Sequence, residues 1–523
     1  MGKIISAKSN HGKMSDPVIG DSSSLEIELK FNVPPERLDA LKKKLRSGKV
    51  HVQRLQAIYF DTADERLALH GATIRLRKEG RKWVQTAKAL TPDTLSRLEH
   101  NVDVMIPCGR RQPQLDLALH LGTPVGAAIC AALDSASTSE ESDPALIERF
   151  RVDVSRMVRI ENMDGTCVEL ALDTGMIHAG KKAIPLCEFE MELKSGSVAE
   201  LFGLATTWET AFGLWISTVS KAERGVRLLH DDLAGPPVIA VNPVIDPSDG
   251  EFGFLVATLE CCLKQILGNA SEVAAGALDE EIVHELRVGL RRMRTALREL
   301  TAFAPHVDPA WETVFSRAFK ELGAHRDVVA VIPSILQEMS DAGVDYRCES
   351  RNLPEIQNPE DVVRDTEFQQ TLLAVMAFCH TPLATNKHKK GIRKRLRVKI
   401  AKRLGRLHAL LVRDAKRFSM LPPAHQHRVR KRLKRMRYLS EFAGPLFYVK
   451  RVKQYLANWS EAQDALGEYN DLRIGIKVIK TEEKNRRHAK PALHWLTSRL
   501  KTCVKRCARI LRKAARNPVF WDT

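Results

Sequence analysis

No apolar run in these 523 residues is long enough to span a bilayer, and the N-terminus lacks the contiguous apolar core of a signal peptide. The sequence therefore predicts a soluble, cytoplasmic chain with no membrane partner. The ten cysteines include no C-x-x-C spacing and are too sparse for a disulfide framework, which predicts free thiols in a reducing compartment. The first half contains no G-x-S-x-G, no P-loop and no H-E-x-x-H. A nucleophile elbow, a Walker-type phosphate cradle and a zinc-protease helix are thereby excluded from it. The opening Met1-Gly2-Lys3-Ile4-Ile5-Ser6 fits the myristoylation pattern, which matters only in a host with the transferase.

What is present in excess is positive charge: 82 Lys and Arg against 64 Asp and Glu, a net +18. Such a surplus favours polyanionic partners, whether polyphosphate, nucleic acid or an acidic membrane surface, and says nothing about fold. The length allows two or three domains. Residues 1–24 read as a flexible polar leader, and the first helix is expected from Pro34–Pro35 to before Gly48. A Pro-rich linker is expected over 233–250, where Pro236, Pro237, Pro243, Pro247 and Gly250 interrupt regular structure. It separates a strand-rich segment, 25–232, from a helical one, 251–523. The acidic, Ser-rich stretch 134–143 reads as a surface loop of the first half.

In LEIELKF (25–31) strand alternation places Glu26, Glu28 and Lys30 on one face and Leu25, Ile27, Leu29 and Phe31 on the other. The same division recurs. Arg75 and Arg77 share a face with Thr73; Thr86 pairs with Lys88; Arg97, Glu99, Asn101 and Asp103 align. Glu169 lies with Asp173, and Glu188, Glu190 and Glu192 lie with Lys194. A solvated sheet face would explain one or two such strands. If instead the sheet curls with its apolar side outward against helices, the charges face a wet lumen, because burying unpaired charge is prohibitive. Clustered carboxylates there call for divalent cations of the Mg²⁺ or Mn²⁺ type, and the basic residues for phosphates. His100, on the opposite parity to Arg97 and Glu99, reads as a packed or surface histidine.

The E-x-E-x-K of LEIELKF, followed in order by QAIYFDT (56–62), LHGATIRLRKEG (69–80), WVQTAK (83–88), RLEHNV (97–102), VELALDTG (168–175), CEFEMELKSG (187–196) and SKAERG (220–225), resembles the CYTH, or triphosphate tunnel metalloenzyme, superfamily. The resemblance implies an α+β domain, an eight-stranded antiparallel tunnel with flanking helices that hydrolyses inorganic triphosphate using Mg²⁺ or Mn²⁺. It implies catalytic roles for Glu26, Glu28 and Lys30, and metal ligation by Glu26, Glu28, Asp173, Glu188, Glu190 and Glu192. Triphosphate would be held by Lys30, Arg75, Arg77, Lys88, Arg97, Arg156, Lys221 and Arg224. Metal-activated water in line with the terminal phosphorus would need no side-chain nucleophile. A non-catalytic, polyphosphate-binding tunnel remains an alternative, as does a tunnel acting on thiamine triphosphate or, as an adenylate cyclase, on ATP.

The second half repeats itself. VHELRVGLRRMRTAL (283–297) and HRVRKRLKRMRYL (427–439) carry basic residues at matching offsets from a histidine. His284, Arg287, Arg291 and Arg294 correspond to His427, Arg430, Lys434 and Arg437. Leu286, Leu290 and Met293 correspond to Val429, Leu433 and Met436, an apolar stripe beside the basic one at helical spacing. LGAHRD (322–327) and LGEYND (466–471) follow at similar distances, so two duplicated helical bundles are expected, with copies near 283–327 and 427–471. The pattern resembles the CHAD domain, which implies polyphosphate binding by these eight basic and histidine residues. Neither histidine has a metal-ligand partner at suitable spacing. From Lys387 to Arg437 there are 21 Lys and Arg and one acid, Asp414. Nucleic acid is the rival partner, but only Phe418 and Tyr438 could stack bases there, and no zinc-finger or RNA-recognition motif appears. Long-chain polyphosphate is the expected partner, and the cytoplasm or its polyphosphate granules the expected location.

Overall fold

In this computed structural model the described residues are 23–91, 96–134, 145–232, 234–246, 250–304, 306–344, 346, 355–380, 391–483 and 489–522. The expected leader, but for its last two residues, and the acidic loop after Asp134 lie outside them. The nine strands of the described residues are β1 Ser23–Asn32, β2 Val50–Asp61, β3 Ala72–Glu79, β4 Lys82–Leu90, β5 Ser96–Val104, β6 Ile147–Met163, β7 Thr166–Ala179, β8 Lys182–Ser195 and the two-residue β9 Trp215–Ile216. Their order is β5-β4-β3-β2-β6-β7-β8-β1-β9, and β5 also pairs with β1. The eight long antiparallel strands thus form a barrel. The hairpin joining β6 and β7 turns through Asp164 and Gly165, both at positive φ, as a two-residue type I′ turn requires.

The helices among the strands are α1 Leu38–Leu45, α2 Arg66–Leu69, α3 Pro124–Asp134, α4 Val198–Phe212 and α5 Lys221–His230. By contacts the chain forms two compact units, one with 57–91, 96–148 and β1 up to Glu26, the other with 27–56 and everything from 149 onward. In the first, Ala72, Ile74, Ala87 and Ala89 of β3 and β4 pack under Val125, Ile129 and Ala132 of α3. In the second, Leu29 and Phe31 of β1, Leu170 and Leu172 of β7 and Phe189 and Met191 of β8 pack with Leu41 and Leu45 of α1 and Leu201 and Trp208 of α4. Each wall buries its apolar parity against helices and leaves the charged parity on the opposite face.

The second unit continues with α6 Glu251–Ala274, α7 Glu280–Leu300, α8 Ala310–Arg326, α9 Ile332–Asp341, α10 Pro359–Arg364, α11 Thr366–His380, α12 Ile392–Lys416, α13 Pro423–Ala443, α14 Val449–Glu483 and α15 Ala489–Ala514. They form two helical bundles. The repeated His/Arg segments are α7 and α13, whose apolar stripes (Leu286, Leu290 and Met293; Val429, Leu433 and Met436) are buried. LGAHRD ends α8 and continues into a π-helical turn, Asp327–Val331, whereas LGEYND lies inside α14.

The segment expected as a linker is hydrogen-bonded to α6 and α7. Val238 exchanges two bonds with the Asn269 amide at 3.0 and 2.8 Å, and buried Arg292 donates to the Val241 carbonyl at 2.5 Å. Ile216 N–H donates to Gln369 Oε1, and Arg364 lies 4.0 Å over the Trp215 ring. No described helix is long and apolar enough to cross a membrane, and the described cysteines are free thiols.

Candidate functional site

The register of the second unit's strands sets its charges in rows. Asn32 faces Glu188, Glu188 faces Asp173, and Asp173 faces Arg156; Lys30 faces Glu190; Glu28 faces Glu192, which faces Glu169. Into the first two rows projects Lys221, the first residue of α5, a helix started by the Ser220 hydroxyl accepting from the Glu223 N–H. A cation at a helix N-terminus opposes the helix dipole. Three carboxylates offset it: Lys221 Nζ lies 2.7 Å from Glu188, 2.7 Å from Glu190 and 2.9 Å from Asp173.

Arg156 donates to both Asp173 oxygens at 2.8 and 2.7 Å and to Glu190 at 2.6 Å. Lys30 Nζ is 3.7 Å from Glu190, and Arg224 Nη2 donates to Asn32 Oδ1 at 2.9 Å. Asp173 and Glu188 have no exposed surface. Burial alone would raise the Asp173 and Glu190 carboxyls, yet Lys221 and Arg156 bring both below the ordinary carboxylate range. The same carboxylates outweigh the burial that would depress Lys221 and Arg156, and raise both cations. Asp173, Glu188 and Glu190 are therefore neutralised by protein cations. Glu28, Glu192 and Glu169 make a separate carboxylate row, in which Lys194 lies 2.7 Å from Glu192.

In the first unit the centre is Lys88 on β4, whose Nζ lies 2.5 Å from Glu26 Oε2 and 3.1 Å from Glu99 Oε2. Burial acts to raise Glu99, but the Lys88 ammonium chiefly overrides it and holds the carboxyl at about 2. Arg75 donates to the Tyr59 hydroxyl at 2.9 Å, and Arg77 to Glu79 Oε1 at 2.6 Å. Arg97 is half-buried on the same strand as Glu99. His100, on the other parity, hydrogen-bonds through Nδ1 to His120 Nδ1 at 2.9 Å, and burial pushes buried His120 down to about 4.

The helical bundles hold the most unbalanced charge. The repeats supply one common cluster, because Arg287 and Arg291 of α7, Arg326 of α8 and Arg430 and Lys434 of α13 act on one another electrostatically. Burial, then Arg291 and Arg326, push the Arg287 guanidinium down to about 9. Burial, then Arg291, take Arg430 to about 10; burial, then Arg291 and Arg430, take Lys434 to about 7. Arg287 Nη1 and Arg430 Nε are buried with no hydrogen-bond partner among the described residues. An arginine keeps its proton, so the Arg287 and Arg430 shifts reflect burial first and the neighbouring cations second, both of which a bound anion would offset.

Phe319 of α8 is the platform: the Arg287, Arg291 and Arg294 guanidiniums lie 5.0, 5.2 and 5.1 Å from its ring centre. Gly323 permits the approach of Arg287, whose Nη1 would stand 2.8 Å from a Cβ there. His284, His325 and His427 are all pushed below the usual histidine value, first by burial. The outer members of the two stripes are diverted. Arg294 donates to Glu312 at 2.9 Å, and Arg437 to Glu441 at 2.6 Å.

A barrel wall of paired carboxylates and cations, joined to a helical repeat built around histidine and arginine, matches two known domain families. The CYTH domain matches residues 24–226 and the CHAD domain residues 257–480. The chain carries a CYTH domain and a CHAD domain. The CYTH segment is similar to an inorganic triphosphatase of Haemophilus influenzae, 27% identical over 207 residues, 39% of this chain and 54% of that protein. The chain thus spans about half the length of that curated relative. Among solved structures, the CHAD domain of Ricinus communis is 22% identical with a TM-score of 0.40, over 53% of this chain and 97% of that one. HpAC1 from Hippeastrum, an adenylyl cyclase candidate with a dominant triphosphatase activity, is 16% identical with a TM-score of 0.27, over 40% of this chain and 96% of its own.

Among the residues named from sequence, the CYTH segment brings Lys30, Asp173, Glu188, Glu190, Arg156, Lys221 and Arg224 together in one unit and Glu26 with Lys88 in the other. Asn32, Glu99, Tyr59, Arg326 and Phe319 were given no site role from sequence. Asn32 and Glu99 lie on the charged parity of strands already singled out, and Arg326 lies in LGAHRD, so alternation and the repeat held the signal for these three. Phe319 had none.

Proposed function

We propose that this chain hydrolyses inorganic triphosphate to diphosphate and phosphate in its CYTH barrel, with Mg²⁺ or Mn²⁺, and captures long-chain polyphosphate through the cationic cluster of its CHAD domain. The observation that carries the reading is the cationic cluster: five cations from three helices, with buried donors left unsatisfied among the described residues, suit an anion. The absence of base-stacking aromatics along α12 favours a featureless polyanion over nucleic acid. The triphosphatase half draws on the ordered CYTH motifs and on the similarity to the Haemophilus influenzae protein.

The donor chemistry of the CYTH wall suits a hard divalent cation, since Glu28, Glu169 and Glu192 offer only carboxylate oxygens in one cross-strand row. Among the described residues no three His, Cys, Asp or Glu side chains already enclose a metal position. A metal held by that row would neutralise phosphate charge and lower the pKa of its water. Lys30 and Arg224, and in the other unit Arg75, Arg77, Lys88 and Arg97, bind phosphate oxygens in this reading. Lys221 and Arg156 keep Asp173 and Glu190 ionised, and Lys221 also holds Glu188 in place.

A binding-only CYTH barrel is the second reading, favoured by how fully Lys221 and Arg156 are engaged by carboxylates. Phosphate release from inorganic triphosphate, ATP, thiamine triphosphate and long-chain polyphosphate, with Mg²⁺ or Mn²⁺ and with EDTA, separates the two. Metal-dependent release confined to triphosphate, lost in Glu28→Ala and Lys30→Ala while polyphosphate binding survives, is the expected result. No release from a protein that binds polyphosphate tightly would establish the second reading instead.

A further inference from the structure

We propose that the CHAD domain holds part of the triphosphate site in place: Glu272, near the end of α6, is a positioning residue that acts through Arg227 on the helix carrying Lys221 and Arg224. The inference rests on the triphosphatase reading of the CYTH barrel and adds what fixes its geometry.

Helix α5 reaches from the barrel wall to the CHAD domain. Its first turn gives Lys221 to Asp173, Glu188 and Glu190, and one turn on Arg224 donates to Asn32 of β1. Its last turn carries Arg227, whose Nη1 and Nη2 donate to the two Glu272 oxygens at 3.1 and 2.6 Å. A bidentate arginine–carboxylate pair fixes direction as well as distance. Gly235 makes room for it: its N–H donates to Glu272 Oε2 at 3.3 Å, and a Cβ there would collide with Arg227 Nη2. At 1.5 Å per residue Arg227 lies about 9 Å along the helix from Lys221, so a tilt or slide of the last turn is carried to the first.

The approach to α5 is held from the same place. β9 pairs with β1, Ile216 opposite Phe31 and Trp215 opposite Asn32, and the Ser217 N–H donates to the Lys30 carbonyl at 2.9 Å. This segment also donates to CHAD helices, Ile216 N–H to Gln369 Oε1 of α11 and Thr218 N–H to Ser271 Oγ of α6, both at 3.0 Å. Gln369, Ser271 and Glu272 are all buried. Two adjacent side chains of α6 thus grip 218–227 at both ends, and Lys30, Asn32, Lys221 and Arg224 are all bonded to or borne by the gripped stretch and β9. Glu223 also accepts from Arg227 Nη2, at 2.5 Å. Neutralising Glu272 therefore leaves the guanidinium a carboxylate and spares the fold an unpaired charge. What is lost is the placement of α5, and with it the phosphate contact of Arg224.

The test is steady-state hydrolysis of inorganic triphosphate by the full chain as wild type, E272Q and G235A, with a melting curve of each. E272Q removes the charge, whereas G235A pushes the pair apart with both charges kept. Each should raise KM for triphosphate about tenfold, with kcat within about threefold and the melting temperature within about 5 °C of the wild type. A merely structural pair would lower the folded fraction, and so apparent kcat, without moving KM. KM unchanged in either variant that folds, or failure of both to fold, would overturn the positioning role alone. Absence of triphosphate hydrolysis by the wild type would overturn the triphosphatase reading and this inference with it.

Discussion

Lys221 Nζ, on the first turn of α5, lies 2.7 Å from Glu188 Oε2, on a strand position with no exposed surface. The pair joins a helix start to the centre of a barrel wall, and its removal leaves three buried carboxylates short of a cation. K221M is expected to destabilise the fold by about 3–5 kcal/mol, read from urea unfolding of the purified chain. A double K221M/E188Q variant should recover part of that loss. A K221M loss below 1 kcal/mol would mean the carboxylates find another cation.

Acid should act on the same cluster. Asp173 and Glu190 titrate below their usual values because Lys221 and Arg156 outweigh burial. Their stabilisation is complete above the unfolded carboxylate range, about pH 4, and is lost as pH falls through their folded values. The melting temperature is expected to drop steeply below about pH 4, and E190Q to shallow that limb.

Glu209 on α4 shows the opposite linkage. It has no exposed surface, neither carboxylate oxygen has a hydrogen-bond partner among the described residues, and burial chiefly pushes it up to about 7. A carboxyl whose folded value is raised favours the fold while protonated, so stability declines as pH rises from about 4 to 7. E209Q should match the wild type near pH 4 and exceed it above pH 7 by up to about 3 kcal/mol, measured as a pH series of denaturation curves.

The cationic cluster predicts a conflict between stability and capture. Arg287 is almost fully buried beside other guanidiniums and is pushed down to about 9 by burial and by them. R287M should stabilise the unliganded fold by about 1 kcal/mol while weakening polyphosphate binding. Unchanged binding affinity in this variant would remove Arg287 from the site.

Salt dependence checks the cluster as a whole. Replacing Arg291, Arg430 and Lys434 together by alanine should lower polyphosphate affinity and reduce the slope of log affinity against log salt by about one per cation removed. Triphosphate turnover should persist. An unaltered slope would place the polyanion elsewhere, for example along the exposed basic residues of α12.

Which residues share a face was legible in the chain before any fold was known. Strand alternation placed Glu28, Lys30, Glu188, Glu190 and Glu192 opposite Leu29, Phe31, Phe189 and Met191, because side chains reverse at every residue. Helical spacing likewise separated Arg287 and Arg291 from Leu286 and Leu290, and the repeat announced a duplication. Which side chains meet depended on register and packing. Register set Glu192 against Glu28 and Glu169, while the entry of α5 gave Lys221 to Asp173, Glu188 and Glu190. The packing of α7 with α8 and α13 merged the cations of two repeats into one cluster. It recruited Arg326 and the Phe319 ring, and carboxylates on α8 and α13 claimed Arg294 and Arg437. Periodicity is a property of one element, whereas charge pairing depends on distances between elements far apart in the chain.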